Sequence, residues 1–164
     1  MKKQSLRIST IATPLMLVCG LLGSGAPARA EGACSNRTLM GDYGFAIEGV
    51  LLAIPGVSLP PGGVPLRGVA LTTFDGEGNS GGSGKGTLKQ VDHVVVGGTP
   101  PPVEWTQGTG TYHVNTDCTG TVQIVIPGNP LSPVNLHIVV VRQGKEIHTV
   151  VEANAVTSVG IKVE

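Results

Sequence analysis

The stretch at residues 108–126, which reads GTGTYHVNTDCTGTVQIVI, restricts the possible fold more than any other part of the chain. Two runs of alternating apolar and polar residues flank a turn, and alternation with a period of two residues indicates a half-buried β-strand. The turn contains Asn115 and Asp117, which favour tight turns, and also Cys118. The stretch therefore predicts a β-hairpin with a cysteine at its turn.

The same alternation continues along most of the chain. Glycine (25 residues) and proline (12 residues) are abundant, and Val, Ile and Thr dominate the regular stretches. No run shows helical periodicity with caps on either side, so the pattern indicates an all-β domain. The predicted strands are eight in number and lie at about residues 41–54, 66–75, 80–96, 103–114, 120–126, 134–141, 146–152 and 156–163.

The connections between these strands alternate strictly in length and composition. The proline-rich ones lie at residues 55–65, 97–102 and 127–133, and the short polar ones at residues 76–79, 115–119 and 142–145. In an up-and-down meander, successive connections lie at opposite ends. The proline-rich loops, with the brief turn near Asn154, are therefore predicted to gather at one end and the tight hairpins at the other.

A meander with an even number of strands can pair its last strand with its first and so remove both exposed edges. We therefore predict a single antiparallel up-and-down barrel of about eight strands, with a two-sheet sandwich as the alternative. A barrel of this size has an interior that side chains fill or that holds one small ligand.

The first 30 residues are typical of an export signal. Their features are the basic residues Lys2, Lys3 and Arg7, an apolar run at about residues 11–22, and the small-x-small motif Ala28-Arg29-Ala30. The apolar run is shorter than the about 20 residues of a membrane span, and we predict no transmembrane segment. Cleavage after Ala30 would leave a secreted or periplasmic β-barrel domain at residues 31–164; acylation of Cys19 is the alternative, although Val18 is bulkier than that processing favours.

Two cysteines, Cys34 and Cys118, remain after residue 30, in a compartment that favours oxidation. In the predicted meander both lie at the tight-turn end, as a disulfide requires, because the Cα atoms must approach to about 4.4–6.8 Å. The bond would close a loop of about 84 residues, worth at most about 4.5 kcal/mol in the chain-entropy model. A two-cysteine metal site is the alternative, but the paired spacing of zinc ligands is missing.

The formal charge of residues 31–164 is −4, because four of the 11 basic residues and none of the 11 acidic residues precede them. A mildly acidic chain without a basic cluster argues against nucleic acid as a partner. The run SGGSGKG at residues 80–86 does not have the phosphate-loop spacing GxxxxGK[ST]. No cofactor is predicted.

Aromatic residues make up only 3% of the chain, so the few rings on inward faces either fill the core or line a small pocket. The proline-rich loops are apolar for loops, and long ordered loops are often functional, although rigid polyproline connections are the alternative. The predicted ligand-binding residues are Tyr43, Phe45, Phe74, Tyr112, Leu59 and Leu131.

A few side chains of the chain could act as a general acid or base. The candidate catalytic residues are Glu48, Glu104 and Tyr112, and Asp92 and His93 are further acid/base candidates. None of them forms a recognisable catalytic pair in the sequence.

The chain offers no convincing metal site. His137 and His148 are predicted to share a face of one hairpin on diagonal positions about 7–8 Å apart. No third ligand is placed beside them, and no metal is predicted. The strands that carry them are apolar on both faces, which predicts a homo-oligomer interface or an exterior apolar patch.

Four segments resemble, in order, a group of small exported bacterial proteins. They are CSNRTLMGDYGFAIEG, ALTTFDGEGNSGG, GTYHVNTDCTGT and VVVRQGKEIHTVV, which match the patterns C-x₄-L-x-G-x-Y-x-F, TFDGxGN, GTYxVNxDCTGT and a late GKE hairpin. The resemblance covers nearly all of residues 31–164 and implies a lipocalin-like or allene-oxide-cyclase/dirigent-like β-barrel. It implies no catalytic residue. The chain differs from that group in its long proline-rich insertions and in Thr149 at a position where an aromatic residue is expected.

Three functional hypotheses follow. The first is an exported, non-catalytic barrel that binds a small apolar ligand or a partner through the proline-rich end. The second is a barrel isomerase or cyclase of the allene-oxide-cyclase type, and the third is a structural or cell-surface interaction protein. A cavity inside the barrel would favour the first two, because a filled barrel excludes both.

Overall fold

A computed structural model of the chain describes residues 33–78 and 84–164. The predicted export signal at residues 1–30 and the predicted start of the third strand at residues 80–83 lie outside the described residues. The strands are β1 (Gly41–Leu51), β2 (Val64–Phe74), β3 (Gly86–Val96), β4 (Thr106–Val114), β5 (Thr119–Val125), β6 (Val134–Val141), β7 (Glu146–Val151) and β8 (Ala155–Lys162). Two short 3₁₀ segments, Asn36–Leu39 and Arg142–Gly144, precede β1 and join β6 to β7.

The eight strands form a closed barrel in sequence order, and β8 pairs antiparallel with β1. The register of the closure runs from Tyr43 opposite Lys162 to Val50 opposite Ala155. The predicted all-β, up-and-down barrel is thereby confirmed, and the two-sheet sandwich is excluded. Closure leaves no strand of the sheet with an unpaired edge.

Three predicted strands were too long at one end. β1 ends at Leu51, β3 begins at Gly86 and β4 begins at Thr106. After β1 the chain turns at Pro55–Gly56, where an isolated bridge pairs Ile54 with Val57. The three prolines before β4 have no backbone N–H to donate to a neighbouring strand, which delays its start.

The predicted alternation of inward and outward residues is confirmed. On β1, Tyr43 is buried while Asp42 and Glu48 are exposed. On β5, Val122 and Ile124 are buried between exposed neighbours. Local periodicity therefore determines which side chains enter the barrel.

The tight-turn end of the barrel is closed by the segment before β1. Cys34 and Cys118 form the predicted disulfide, with 5.0 Å between their Cα atoms. Asn36, which is fully buried, donates from Nδ2 to the carbonyl of Glu77 (2.7 Å) and accepts from the backbone N–H of Val114 (2.8 Å) through Oδ1. These bonds hold the 3₁₀ turn across the barrel end.

A cluster of three aromatic rings packs behind this closure. The ring of Phe74 contacts those of Tyr43 and Tyr112 edge to face, with centroids 5.5 and 4.8 Å away. Gly86 lies against the ring of Tyr112, and a Cβ atom at that position would come within 2.5 Å of it. The closed end is therefore a packed core.

At the opposite end, the four remaining loops are built from hydrogen-bonded turns. The β3–β4 loop folds back at Gly97 and Gly98, both with positive φ, through two bonds between Val96 and Thr99 of 2.9 and 3.0 Å. In the β7–β8 turn, Asn154 Oδ1 accepts from the backbone N–H groups of Leu52 and Ala53. The predicted gathering of the proline-rich loops at one end follows from the confirmed strand order.

Among the described residues, no helix has the length and apolar composition needed to cross a membrane.

Candidate functional site

The barrel contains a cavity of about 1360 Å³, which exceeds the roughly 300–1,000 Å³ of most small-molecule sites. Its lining includes residues from all four loops of the proline-rich end, among them Ile54, Pro102, Leu131 and Asn154. The interior is therefore open toward that end and is not filled by side chains.

Apolar side chains form most of the cavity wall. Toward the closed end, the buried wall residues belong to the large core cluster and include Phe74, Leu88, Ile124, Ile138 and Ile147. Toward the loops, Leu51, Leu66 and Val156 form a second buried cluster. Such a surface removes apolar ligand area from water, which is favourable at about 25 cal/mol per Å².

A strip of polar side chains interrupts the apolar wall on β2 and β3. The hydroxyl of Thr72 donates to Gln90 Oε1 (3.1 Å), and Gln90 Nε2 donates to Asp92 Oδ2 (2.9 Å). The three residues share one face of the sheet, because Thr72 lies opposite Gln90 in the ladder and Asp92 is two positions further along β3. All three line the cavity.

Asp92 is a buried carboxyl group, with only 5% of the residue exposed. Burial raises its pKa, because desolvation penalises the charged form, while the hydrogen bond from Gln90 and the nearby His93 oppose the shift. His93 is half-buried, and its Nδ1 lies 2.7 Å from the carbonyl oxygen of Glu104. The cavity wall therefore contains a buried acid whose pKa lies above its ordinary value.

The cavity wall carries a second polar group, which consists of two hydroxyls. The hydroxyls of Thr149 on β7 and Ser158 on β8 are 2.7 Å apart, and both residues line the cavity. Only β1 separates β8 from β2 in the closed barrel, so the hydroxyl pair lies on a different part of the wall from the polar strip of β2 and β3. Thr149, one member of this pair, stands at the position where the resemblance to the small exported bacterial proteins leads us to expect an aromatic residue.

The predicted ligand-binding residues divide between the two ends. Phe45, Phe74 and Leu131 line the cavity, and Leu59 packs against the apolar cluster near the loops. Tyr43 and Tyr112 lie in the packed core of the closed end, and the described lining of the cavity does not include them.

The tyrosines of the closed end are engaged in structural hydrogen bonds. Tyr112 Oη accepts from the backbone N–H of Gly76 (2.8 Å) and donates to Asp75 (3.1 Å), and Tyr43 Oη donates to the carbonyl of Gly144. Burial raises the pKa of Tyr43 to about 12 and also raises the pKa of Tyr112. Both therefore stay protonated at neutral pH.

The other predicted acid/base residues are outside the cavity. Glu48 and Glu104 are both exposed, Glu48 on the outer face of β1 and Glu104 in the loop before β4. Sequence reasoning placed neither Gln90 nor Asp92 in the ligand site. The sequence does carry a signal for them: with a period of two, both residues share a face of β3 with the apolar Leu88 and Val94, so two polar side chains interrupt an apolar face.

The histidine pair is arranged as predicted. His137 lies opposite Val150 and His148 opposite Val139, which puts the imidazoles on diagonal positions. His137 is 3.1 Å from Glu152, and His148 is 2.6 Å from Glu146. Within the described ranges, no group of three or more His, Cys, Asp or Glu side chains is arranged to hold a metal ion.

The outer wall of the barrel exposes apolar side chains. On β6, β7 and β8 the exposed ones include Val139, Val150, Val159 and Ile161. For these strands the sequence predicts either an exterior apolar patch or a homo-oligomer interface. The exposed side chains form such a patch, and the homo-oligomer stays a prediction.

The closed antiparallel barrel of eight strands is consistent with a lipocalin-like barrel in general. Membership of the lipocalin-like or allene-oxide-cyclase/dirigent-like proteins stays a prediction. Comparisons of the chain with protein-family models, with curated proteins and with solved structures found no match.

Proposed function

We propose that this protein is an exported, non-catalytic barrel that binds a small apolar ligand inside, with entry between the proline-rich loops. The observation that carries the proposal is the apolar cavity of about 1360 Å³ that extends to those loops. An eight-stranded barrel can be filled by its own side chains. A cavity of this size therefore results from the inward side chains of this sequence and not from the fold alone. Apolar pockets with a few polar groups are the usual form of a small-molecule site.

The hydrogen bonding of the loops supports binding at this end. In the β5–β6 loop, the backbone N–H of Ile126 donates to Ser132 Oγ (3.0 Å), and that of Leu131 donates to Asn129 Oδ1 (2.8 Å). Loops that are already ordered lose little conformational entropy when a ligand binds. The entrance is therefore preformed.

Binding is tested with diphenylhexatriene, an uncharged dye whose fluorescence increases in apolar surroundings. The blocking variant is A70W/T149W, because Ala70 on β2 and Thr149 on β7 both line the cavity. The control is A46W/T109W, in which the same two changes fall on exposed positions of the outer wall. We expect the wild type and the control to enhance the dye fluorescence equally and the blocking variant to lose the enhancement.

The proposal is wrong if the wild type gives no enhancement, or if a folded A70W/T149W protein binds the dye as well as the control does. Circular dichroism establishes that each variant has kept its β-structure. A thermal shift with the dye supplies a second reading, since a ligand that binds only the folded state raises Tm.

The second candidate function is a barrel isomerase or cyclase, with Asp92 as the acid/base in place of Glu48, Glu104 and Tyr112. The observation that favours it is a buried carboxyl group with a raised pKa in a cavity wall, because acids and bases of this kind concentrate at active sites. A general base must reach a proton on the bound molecule. The test is deuterium exchange next to the carbonyl of decanone in D₂O, followed by mass spectrometry. Exchange that depends on the protein and disappears in D92N would support catalysis, and exchange at the buffer rate would argue against it.

A further inference from the structure

The carboxylate of Asp92 is buried with few partners. In residues 33–78 and 84–164, its hydrogen bond comes from Gln90 Nε2, which reaches only Oδ2. A carboxylate can accept about four hydrogen bonds, and a buried charge is costly unless it is paired. The ion pairs among the described residues have Glu146 or Glu152 as the acid, and Asp92 takes part in none of them.

Asp75 shows how the same barrel surrounds an aspartate with a structural role. Its carboxylate accepts from the backbone N–H groups of Glu77 (3.0 Å) and Thr87 (2.8 Å), and from the hydroxyls of Thr87 (2.6 Å) and Tyr112 (3.1 Å). Four donors therefore serve Asp75, against one for Asp92. The difference leaves room for further donors at Asp92.

The hydrogen bonds of the polar strip all run in one direction. Thr72 donates to Gln90, and Gln90 donates to Asp92, so the strip ends on a carboxylate that only accepts. Since the cavity borders this carboxylate, a group that occupies the cavity can supply a further donor.

The ionisable groups of the wall have one sign. Among the described residues that line the cavity, they are Asp92 and Glu152. Glu152 is half exposed and lies 3.1 Å from His137, which leaves Asp92 as the charge inside. A cation inside the cavity would be attracted and an anion repelled, and the low dielectric strengthens both effects.

We propose that the barrel selects amphiphilic ligands whose apolar body fills the cavity and whose protonated amine binds the carboxylate of Asp92. This inference rests on the proposed function and specifies the class of ligand for the same cavity. An ammonium group supplies several N–H donors and the missing positive charge together. A fatty acid with the same alkyl chain as the amine would bind less well. Its carboxylate would either lie against the carboxylate of Asp92 or stay at the entrance of the cavity.

The test displaces diphenylhexatriene with decylamine, decanol and decanoate at neutral pH, the two charged compounds below their micellar concentrations and decanol below its solubility limit. The three compounds share an alkyl chain and differ in the charge of the head group. For the wild type we expect decylamine to displace the dye at about tenfold lower concentration than decanol, which corresponds to about 1.4 kcal/mol. Decanoate should be the weakest of the three.

The matched pair of variants is D92N and D42N. Asp92→Asn keeps the shape of the side chain and removes the charge, and we expect decylamine and decanol to become equal within about twofold, or about 0.4 kcal/mol. Asp42 is exposed on the outer wall of β1, so D42N should behave as the wild type does. Dye binding itself should persist in both variants, because the apolar wall is unchanged.

The failures of the two proposals are distinguishable. A wild type that does not bind the dye overturns the proposed function. A wild type that binds the dye but shows equal displacement by decylamine and decanol, or a D92N protein that keeps the preference for decylamine, overturns the role of Asp92 alone. The order of the three compounds on the wild type needs no variant, so the inference stays testable even if D92N does not fold.

Discussion

Two aspartates on neighbouring parts of the sheet have pKa values shifted in opposite directions. At the closed end, burial favours protonation of Asp75, but the hydrogen bonds from Thr87, Glu77 and Tyr112 outweigh it and lower the pKa. In the cavity wall, burial dominates and raises the pKa of Asp92. Asp75 is therefore a carboxylate that stabilises the fold, whereas Asp92 is a carboxylate with a single described hydrogen-bond donor.

The same difference extends to the two regions as a whole. The closed end combines a disulfide, a fully buried asparagine and three rings in edge-to-face contact. The open end combines preformed loops with an unfilled interior. Residues that bind ligands are often less than optimal for stability, so variants of the two regions should affect stability and binding differently.

The largest expected effect is at the closed end, from replacing both cysteines with alanine. Loss of the Cys34–Cys118 bond, which spans 84 residues, should reduce the free energy of unfolding by about 2–4.5 kcal/mol. Urea denaturation with and without the bond measures the change. While the variant remains folded, its binding of diphenylhexatriene should be unchanged, and a loss of stability below about 1 kcal/mol would contradict the structural role of the bond.

Tyr112→Phe should cause the next largest loss of stability. The change leaves the backbone N–H of Gly76 without its acceptor and Asp75 without one donor, which should cost about 1–3 kcal/mol. Thr149→Val in the cavity wall is the control, because it removes a hydroxyl whose partner, Ser158, borders open space. If the two variants lose the same stability in urea denaturation, the contrast between the regions is wrong.

Asp75→Asn tests the dependence of stability on pH. The pKa of Asp75 is lower in the folded state, so its contribution is complete above the unfolded pKa of about 3.9 and is lost as the pH falls through the folded value. At neutral pH the variant should lose about 1 kcal/mol, since solvent screens this half-exposed group. The difference from the wild type should shrink in acid, as measured by urea denaturation across a pH series. A difference that is constant with pH would contradict this assignment.

Asp92→Asn should have an effect on stability of about the same size as Asp75→Asn, with the opposite sign. Because the pKa of Asp92 is higher in the folded state, the folded protein binds more protons there, and stability falls as the pH rises through that value. Removing the charge should therefore raise Tm at neutral pH by about 2–4 °C, the shift expected for about 1 kcal/mol in a domain of this size. The gain should disappear in acid, where Asp92 is protonated. A lower Tm at neutral pH would show that the carboxylate stabilises the fold.

Much of the fold could be predicted because its determinants are local. Alternation along β1 and β5 identified the inward residues, and turn residues identified the hairpins. Strand number and loop alternation then placed Cys34 and Cys118 at the same end, as the 5.0 Å Cα separation confirms. The errors fell at strand ends: the first loop turn ends β1 early, prolines delay the start of β4, and β3 begins only at Gly86, after a glycine-rich run.

The candidate site could be predicted only in part. Periodicity alone makes Phe45 and Tyr112 equivalent, as inward aromatic residues. Their positions along the barrel axis separate them, because Phe45 lines the cavity while the 3₁₀ turn covers Tyr112 and its neighbours. That turn is short and has no periodic pattern, so its role in closing the barrel could not be predicted from its sequence.

The amino-acid sequence determines the strands, their order and the end at which the disulfide forms, because these depend on a period of two and on turn chemistry. The volume of the cavity depends on the summed volumes of the inward side chains of all eight strands. It also depends on how far the packed core behind the 3₁₀ turn extends into the barrel. The pairing of Thr72 with Gln90, and its continuation to Asp92, depends on the register between β2 and β3. Both are properties of side chains brought together across strands, and only the closed barrel brings them together.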